Sequence, residues 1–229
     1  MAAVPRNPLI AQPIGANPLT SEPQVPIGAP IPPLYTPTKR DLAAVQAYQG
    51  GGSDVMNRYA AGRDISDEYV PVGPRALRGD AKRVPRVVAD LKDAIARSPL
   101  ERDTLLYRGF FDPRGRLASQ PVGAVVPMPG FLSTTKSEQE ARDRGMIAWM
   151  RHNEEETSDY SERARRESWL MHVMAPAGSR ALDLNAVNEA HGQREHFHRE
   201  QEVLFAPGQR VRVEHVDPTQ RLMRVKVMN

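Results

Sequence analysis

The sequence predicts an α+β protein in which a mainly β core carries helices at one side. Three observations support this class. Apolar residues recur at helical spacing in the first part of the chain, alternating apolar strands dominate after residue 103, and the first 37 residues differ from the rest in composition. Helices followed by a run of strands are typical of α+β folds.

The composition favours a folded globular protein and excludes several kinds of site. Of 229 residues, 40% are hydrophobic and 26% are charged, which is enough apolar sequence for a core. The formal charge of +3, from 31 Lys+Arg against 28 Asp+Glu, disfavours a dedicated nucleic-acid binder. The chain has no cysteine, which excludes disulfides, zinc–thiolate sites, iron–sulfur clusters and cysteine nucleophiles. With no apolar run of membrane-spanning length and no cleavable signal peptide, we expect a soluble protein without a membrane partner.

The N-terminal segment is predicted to be a tail. Ten of the 21 prolines lie within residues 1–37. Because proline fixes φ and lacks an amide hydrogen, neither a helix nor a central strand is expected there. We therefore predict a proline-rich flexible tail over residues 1–37 and one folded domain over residues 38–229. The tail is either a disordered terminus or a segment for docking or delivery.

The helices are predicted from apolar periodicity and from the residues that begin or end them. The first covers residues 41–49 and ends at the three glycines 50–52. Ser53 is the expected N-cap of a second, short helix. Residues 84–97 form an amphipathic helix with its apolar residues on one face. Residues 137–152 return to helical periodicity.

The strands are predicted from short apolar runs between turn residues. Pro127 confines its strand to a sheet edge, because proline cannot donate to a ladder. Residues 62–83 and 153–167 are predicted loops. The predicted strands are 104–108, 124–128, 131–135, 168–175, 180–184, 202–206, 210–215 and 221–228.

Three short motifs place reactive side chains on strands. Arg108 closes an apolar strand, where a guanidinium is costly unless it meets an anion. Ser133 and Thr135 occupy alternate strand positions and therefore share a face. Glu200 and Glu202 lie two residues apart at a strand start, and their repulsion tends to raise one pKa. Taken singly, each motif also fits an ordinary role: a structural salt bridge, a polar strand face or a solvated turn.

In this order, LYRG (106–109), GFLSTT (130–135) and REQEVLFAPG (199–208) resemble the motifs of the Arg–Ser–Glu class of mono-ADP-ribosyltransferases. The spacing is similar to that of the iota-toxin-like and phage enzymes, and bacterial effectors also belong to this class. The resemblance covers about residues 38–229. It implies the ADP-ribosyltransferase fold: two packed, mainly antiparallel β-sheets that form an NAD cleft, with N-terminal helices at one side.

The resemblance implies NAD⁺ as the donor substrate and no metal. The implied catalytic residues are Arg108, Ser133, Glu200 and Glu202. The implied NAD⁺-binding residues are Tyr48 and Asn57, which resemble a helical pair of the family, with Arg108, Gly109, Ser133, Thr134, Arg166 and Glu202. The implied acceptor-recognition residues are Phe197 and Glu200. In these roles Arg108 pairs with the pyrophosphate, Ser133 aims Glu202 at the nicotinamide ribose, and Glu200 takes a proton from an acceptor arginine.

The sequence departs from the family pattern at three points. Thr135 replaces the last serine of the Ser-Thr-Ser motif but keeps a hydroxyl. Gly130 stands where several binary toxins carry an asparagine that holds nicotinamide, so backbone groups near Gly109 and Phe110 are expected to take that role. The second phosphate-binding arginine is assigned to Arg165 or Arg166.

The expected function is transfer of ADP-ribose to an arginine of a target protein, by a bacterial effector or toxin or by a phage enzyme. Such a protein would be delivered into the cytoplasm of a host or target cell, with delivery machinery or a cognate inhibitor as further partners. An NAD⁺ glycohydrolase would use the same cleavage residues. A binding module with a degenerate site, whose tail docks a partner, is the third reading. A metal site at His191, His196 and His198 is disfavoured, because no helix spaces these residues.

Overall fold

The structure is a computed structural model that describes residues 35–65, 81–153, 164, 166–193 and 200–229. Within these ranges the helices are α1 Lys39–Ala47, α2 Ser53–Ala60, α3 Val84–Ala96, α4 Glu138–Asn153 and α5 Leu184–Ala190. A π-helical turn, Tyr48–Gly52, joins α1 to α2, and a 3₁₀ turn, Ala81–Arg83, precedes α3. The strands are β1 Thr104–Phe110, β2 Val125–Met128, β3 Leu132–Thr135, β4 Trp169–Ala175, β5 Ala181–Asp183, β6 Glu202–Phe205, β7 Gln209–Asp217 and β8 Leu222–Val227.

The strands form one hydrogen-bonded ladder of eight, in the order β2-β7-β8-β4-β1-β3-β6-β5. Neighbouring strands are antiparallel except β4 and β8, which are parallel. The predicted α+β class is therefore confirmed, and β2 lies at an edge as Pro127 requires. β1 pairs with β4 along its whole length but with β3 only at Tyr107 opposite Thr135. Where the resemblance implies two sheets, the structure has one continuous sheet, whose two halves are joined by this single pair.

The N-terminal helices are held together by a buried carboxylate. Thr38 caps α1 by accepting a hydrogen bond from the Asp41 amide, and the Asp41 side chain accepts one from the Thr38 amide at 2.8 Å. The same carboxylate accepts a bond of 2.7 Å from Arg97 and one of 2.9 Å from the Tyr35 hydroxyl. A buried charge needs such partners. Asp41 thereby fixes the end of α3 against the start of α1.

Two apolar clusters flank the ladder. The apolar face of α3 packs against α1 and α2, and residues of α5 together with Phe131, Leu182 and Leu204 complete this first cluster. The second cluster lies among the strands and includes Leu106, Met171 and Phe205. The two clusters place the turn after α1 beside the ends of β1 and β3.

Helix α4 crosses β1 in very close contact. A Cβ atom on Gly109 would lie 1.7 Å from the carbonyl oxygen of Ala141 and 2.5 Å from the amide nitrogen of Gly145. Only glycine permits a backbone approach of this kind. The contact holds α4 directly over the strand that carries Arg108.

The structure differs from the sequence-based elements at a few points. The predicted strand 180–184 ends earlier, at Asp183. Asp183 caps α5 by accepting a bond of 3.1 Å from the Ala186 amide. Helix α5 was not predicted. Ser53 is the first residue of α2 and Gly52 is its N-cap, which corrects the predicted cap. The tail before residue 35 and most of the two predicted loops lie outside the described residues. Of the helices described, none is long and apolar enough to cross a bilayer.

Candidate active site

A cavity of about 270 Å³ lies where the three sequence motifs meet. It is bounded by the turn after α1, by β1 and β3, by α4 and by the residues that enter β6. Eight of the residues that line it were predicted from the sequence: Tyr48, Asn57, Arg108, Gly109, Ser133, Thr134, Glu200 and Glu202. The fold therefore brings together residues that are far apart in the chain.

Glu202 is the buried carboxylate of this cavity. It begins β6 opposite Thr135, and its Oε1 accepts a hydrogen bond of 2.5 Å from the Ser133 hydroxyl. Burial raises the pKa of Glu202 to about 7, against the opposing effect of the Ser133 bond, and the charge of Glu200 adds to the increase. A carboxylate with this pKa changes charge near neutral pH, which is common at functional sites.

Arg108 supplies the matching positive charge. It projects from the centre of the ladder, and its Nη1 donates a bond of 2.7 Å to the Ser133 carbonyl. Burial lowers the pKa of Arg108, because the charged guanidinium loses hydration. Among the described residues, no carboxylate lies within ion-pair distance of it. A guanidinium has five donors, so Arg108 retains the capacity to bind an anion.

Glu200 reaches the cavity through an unusual backbone turn. Gln201, between the two glutamates, has φ of 43°, in the left-handed region that non-glycine residues rarely adopt. Because Glu200 precedes β6, the rule that residues two apart on a strand share a face does not apply to Glu200 and Glu202. Backbone strain of this kind persists only where the surrounding structure imposes it, and it clusters at functional sites.

Arg144 and Glu140 of α4 also line the cavity, and the sequence analysis missed both. Arg144 donates a bond of 2.9 Å from Nε to Glu140 and a bond from Nη2 to Glu200. Partial burial lowers the pKa of Arg144, but the two carboxylates outweigh it, so the net pKa is raised. The available sequence signal was the spacing of four between Glu140 and Arg144, which is common on solvated helices and is therefore weak.

The wall beside Ser133 is built by Tyr48, Asn57 and Phe131. The Asn57 Oδ1 accepts a bond of 2.8 Å from the Phe131 amide, while its Nδ2 approaches the Tyr48 hydroxyl at 3.4 Å. The rings of Tyr48 and Phe131 meet edge to face with centroids 5.7 Å apart. A Cβ on Gly130 would lie 2.7 Å from the Asn57 Oδ1. Any larger residue at 130 would therefore displace Asn57.

Comparison with solved structures gives the fold. The ADP-ribosyltransferase Vis in complex with agmatine is 19% identical, with a TM-score of 0.59 over 86% of this chain and 77% of that one; Vis is a toxin of Vibrio splendidus. C3stau2 of S. aureus, solved with NAD, is 12% identical, with a TM-score of 0.54 over 84% of this chain and 88% of that one. This chain has the ADP-ribosyltransferase fold. No protein-family model and no curated protein matches the sequence.

Within the ADP-ribosyltransferase fold, some predicted residues do not line the cavity. Arg166 is described and exposed, but it is not among the lining residues. Phe197, Arg165, His196 and His198 lie outside the described residues. His191 is described, and its Nε2 lies 3.1 Å from the Thr38 carbonyl. Across the described ranges there is no cluster of three or more acidic or histidine side chains that could hold a metal ion.

The contact between Gly130 and Asn57 predicts strong coupling between these positions. Asn57→Ala should lower the free energy of unfolding by about 1–3 kcal/mol, because the Phe131 amide loses its acceptor. Gly130→Ala should cost about 1–3 kcal/mol by crowding Asn57, and most of that cost should vanish in the double variant. Urea unfolding of the four proteins measures the coupling. Additive effects of the two substitutions would contradict the contact.

Proposed function

We propose that this protein is an NAD⁺-dependent mono-ADP-ribosyltransferase that modifies an arginine of a target protein. The observation that carries the proposal is the bond from Ser133 to the buried Glu202, in one cavity with Arg108 and Glu200. These residues occupy the three motif positions of the Arg–Ser–Glu class. The likeness to solved enzymes that carry NAD or agmatine supports the same substrates here.

The cavity lining includes cationic groups that can bind the anionic donor. Arg108 can bind the pyrophosphate through charge-assisted, bidentate bonds. Arg144 extends into the same cavity from α4 and is better placed than Arg166 for a second phosphate contact, because Arg166 does not line it. For the nicotinamide ring, the edge of Tyr48 offers an apolar surface and the backbone at Gly109 offers hydrogen-bonding groups.

Ionised Glu202 would hold the 2′-hydroxyl of the nicotinamide ribose. The bond between C1′ and the pyridinium nitrogen breaks, and its electron pair neutralises the nicotinamide, which leaves without a general acid. The ribose becomes oxocarbenium-like, as in glycoside cleavage. A fixed carboxylate beside that centre stabilises the positive charge as it develops. Ser133 keeps the carboxylate in position.

Glu200 would act on the acceptor. A guanidinium is protonated near neutral pH and is a poor nucleophile. Glu200 can bind it and accept its proton as the nitrogen forms the new bond to C1′. Agmatine in the Vis complex is a small guanidino compound, which supports an acceptor of this chemical class. We extend the proposal to a toxin, effector or phage enzyme that acts in a host or target cell, since Vis and Plx2a of Paenibacillus larvae are toxins.

The decisive experiment is incubation of the protein with labelled NAD⁺ and a host lysate, beside a Glu202→Ala control. The proposal predicts label on a discrete protein band, released by hydroxylamine as an arginine linkage should be, and absent with the control. Nicotinamide release without protein label would instead indicate a glycohydrolase. A folded protein that neither binds nor cleaves NAD⁺ would support the degenerate binding module.

A glycohydrolase is the second candidate, because Glu200 is already paired with Arg144 in this structure. Glu200→Gln separates the two activities. For a transferase, we expect modification of agmatine to fall at least about a hundredfold more than nicotinamide release does, since Gln retains the shape but cannot accept the proton. Both rates are measured on the same samples by chromatography. An equal loss of both rates, or of neither, would exclude the assigned role of Glu200.

A further inference from the structure

Arg144 presents to Glu200 the same chemical group that an acceptor arginine would present. Its Nη2 bonds to the Glu200 carboxylate, and its Nε bonds to Glu140 one helical turn away. All three side chains line the cavity that holds Ser133 and Glu202. The Arg144 side chain is 49% exposed and the Glu200 side chain is 29% exposed, so this ion pair lies at the mouth of the cavity.

We propose that Arg144 occupies the acceptor position on Glu200 until NAD⁺ enters, and that the pyrophosphate then draws it away. This inference rests on the proposed function, because it uses Glu200 as the acceptor carboxylate. A planar guanidinium covers the face of a carboxylate that a second guanidinium needs. The empty enzyme therefore binds its acceptor poorly, and donor binding precedes acceptor binding.

The exchange is favourable because Arg144 binds the pyrophosphate more strongly than it binds the Glu200 carboxylate. Ion pairs at half-exposed positions contribute little to stability, since solvent screens them. Arginine forms charge-assisted, often bidentate bonds with both carboxylates and phosphates, but the NAD⁺ pyrophosphate carries two negative charges whereas Glu200 carries one. A ligand shifts a conformational equilibrium only through such a difference in affinity. Among the α4 side chains that the structure describes, Arg144 is the cation that lines this cavity, so the pyrophosphate can recruit it without backbone movement.

The backbone around Arg144 is fixed, so that only its side chain needs to move. Helix α4 is held on β1 by the contact of Gly109 with Ala141 and Gly145. Ser137, the residue before α4, donates a backbone bond of 3.0 Å to the hydroxyl of Thr135 at the end of β3, which orders the short connection between strand and helix. A long side chain on a rigid helix can therefore exchange partners without movement of the backbone.

Helix α4 also offers a matched control. Arg142 bonds to Glu138 with the same spacing of four residues as Arg144 and Glu140, and it is similarly exposed. Arg142 does not line the cavity. Arg142→Ala therefore removes an equivalent helical ion pair without touching the proposed exchange.

The test is calorimetric titration of agmatine into the full chain, with and without a saturating non-hydrolysable carba analogue of NAD⁺. For the unmodified protein, the analogue should tighten agmatine binding at least about tenfold, which is within the usual range of coupling between sites. In Arg144→Ala, agmatine alone should bind at least about fivefold more tightly than to the unmodified protein, and the analogue should add less than about threefold. Arg142→Ala should behave as the unmodified protein, and Glu200→Gln should lose agmatine binding in both states.

The possible results distinguish failure of the exchange at Arg144 from failure of the proposed enzymatic function. If the chain binds the analogue and releases nicotinamide from NAD⁺, but agmatine binds equally with and without the analogue, the exchange at Arg144 is wrong and the enzyme assignment stands. The exchange is also wrong if Arg144→Ala retains the full coupling, or binds no agmatine in either state while still binding the analogue. If the folded chain neither binds the analogue nor cleaves NAD⁺, the proposed function itself fails.

Discussion

Glu202→Gln should nearly abolish NAD⁺ cleavage and at the same time stabilise the folded protein above neutral pH. The loss of activity is expected because the neutral amide cannot stabilise an oxocarbenium-like ribose. Removing one such preorganised group costs about a hundredfold to a thousandfold in rate. The gain in stability is expected because Glu202 is buried, and an ionised carboxylate is costly there. The substitution should therefore move activity and stability in opposite directions.

The sign of the stability effect follows from the pKa. Burial raises the pKa of Glu202 from 4.5 to about 7 in the folded protein. Between these values the folded state binds more protons than the unfolded state, so stability falls as pH rises through this window. The shift corresponds to about 3 kcal/mol of stability lost by about pH 8 relative to about pH 4. Glutamine does not titrate and retains that stability.

The measurement is urea unfolding of the unmodified protein and of Glu202→Gln across this pH range. The variant should be more stable by up to about 3 kcal/mol at about pH 8 and nearly equal at about pH 4. Glu214→Gln, at an exposed position of β7, is the control and should show no such dependence. A constant difference between the variant and the unmodified protein at all pH values would contradict the raised pKa.

The same group should govern the pH dependence of catalysis. In the proposed mechanism Glu202 acts in its ionised form, so kcat/KM for nicotinamide release should rise with pH through an apparent pKa near 7. Stability and activity therefore depend on opposite protonation states of one carboxylate. Active sites commonly show such a conflict, because function requires a group that folding alone would disfavour.

Much of this site could be predicted from the sequence because three short motifs, in their order along the chain, resemble those of a known enzyme class. A strand places Ser133 and Thr135 on one side through backbone geometry alone. The buried position of Glu202 follows from the apolar residues that continue β6. The N-terminal helices are predictable because their apolar residues recur with the helical period.

The parts that could not be predicted depend on contacts between distant residues. Arg144 is one of several charged residues on α4, and only the packing of α4 on β1 places it in the cavity. Gln201 belongs to no residue class that favours a left-handed backbone, so its φ of 43° is imposed by its surroundings. Helix α5 was missed because it is only seven residues long, too short to show helical periodicity, and the predicted strand 180–184 included its first residue.

Gly109→Ala should be the most destabilising single substitution at this site. The new methyl group would lie 1.7 Å from the Ala141 carbonyl oxygen and 2.5 Å from the Gly145 amide nitrogen. Both atoms belong to the backbone of α4, so no side-chain rotation can relieve the overlap. Overpacking usually costs about 1–3 kcal/mol, and because α4 itself must move away from β1, we expect a loss of about 4–5 kcal/mol or failure to fold.

Gly178→Ala distinguishes this overlap from the general cost of replacing a glycine. Gly178 has φ of 82° in an open turn, and a Cβ there would meet nothing within 4 Å. Its replacement should cost only the strain of a left-handed alanine, about 1–2 kcal/mol. Urea unfolding of both variants measures the difference. If Gly109→Ala were no worse than Gly178→Ala, α4 could not be pressed against β1. The placement of Arg144 in the same cavity as Arg108, and with it the proposed exchange at Glu200, would then lose its structural basis.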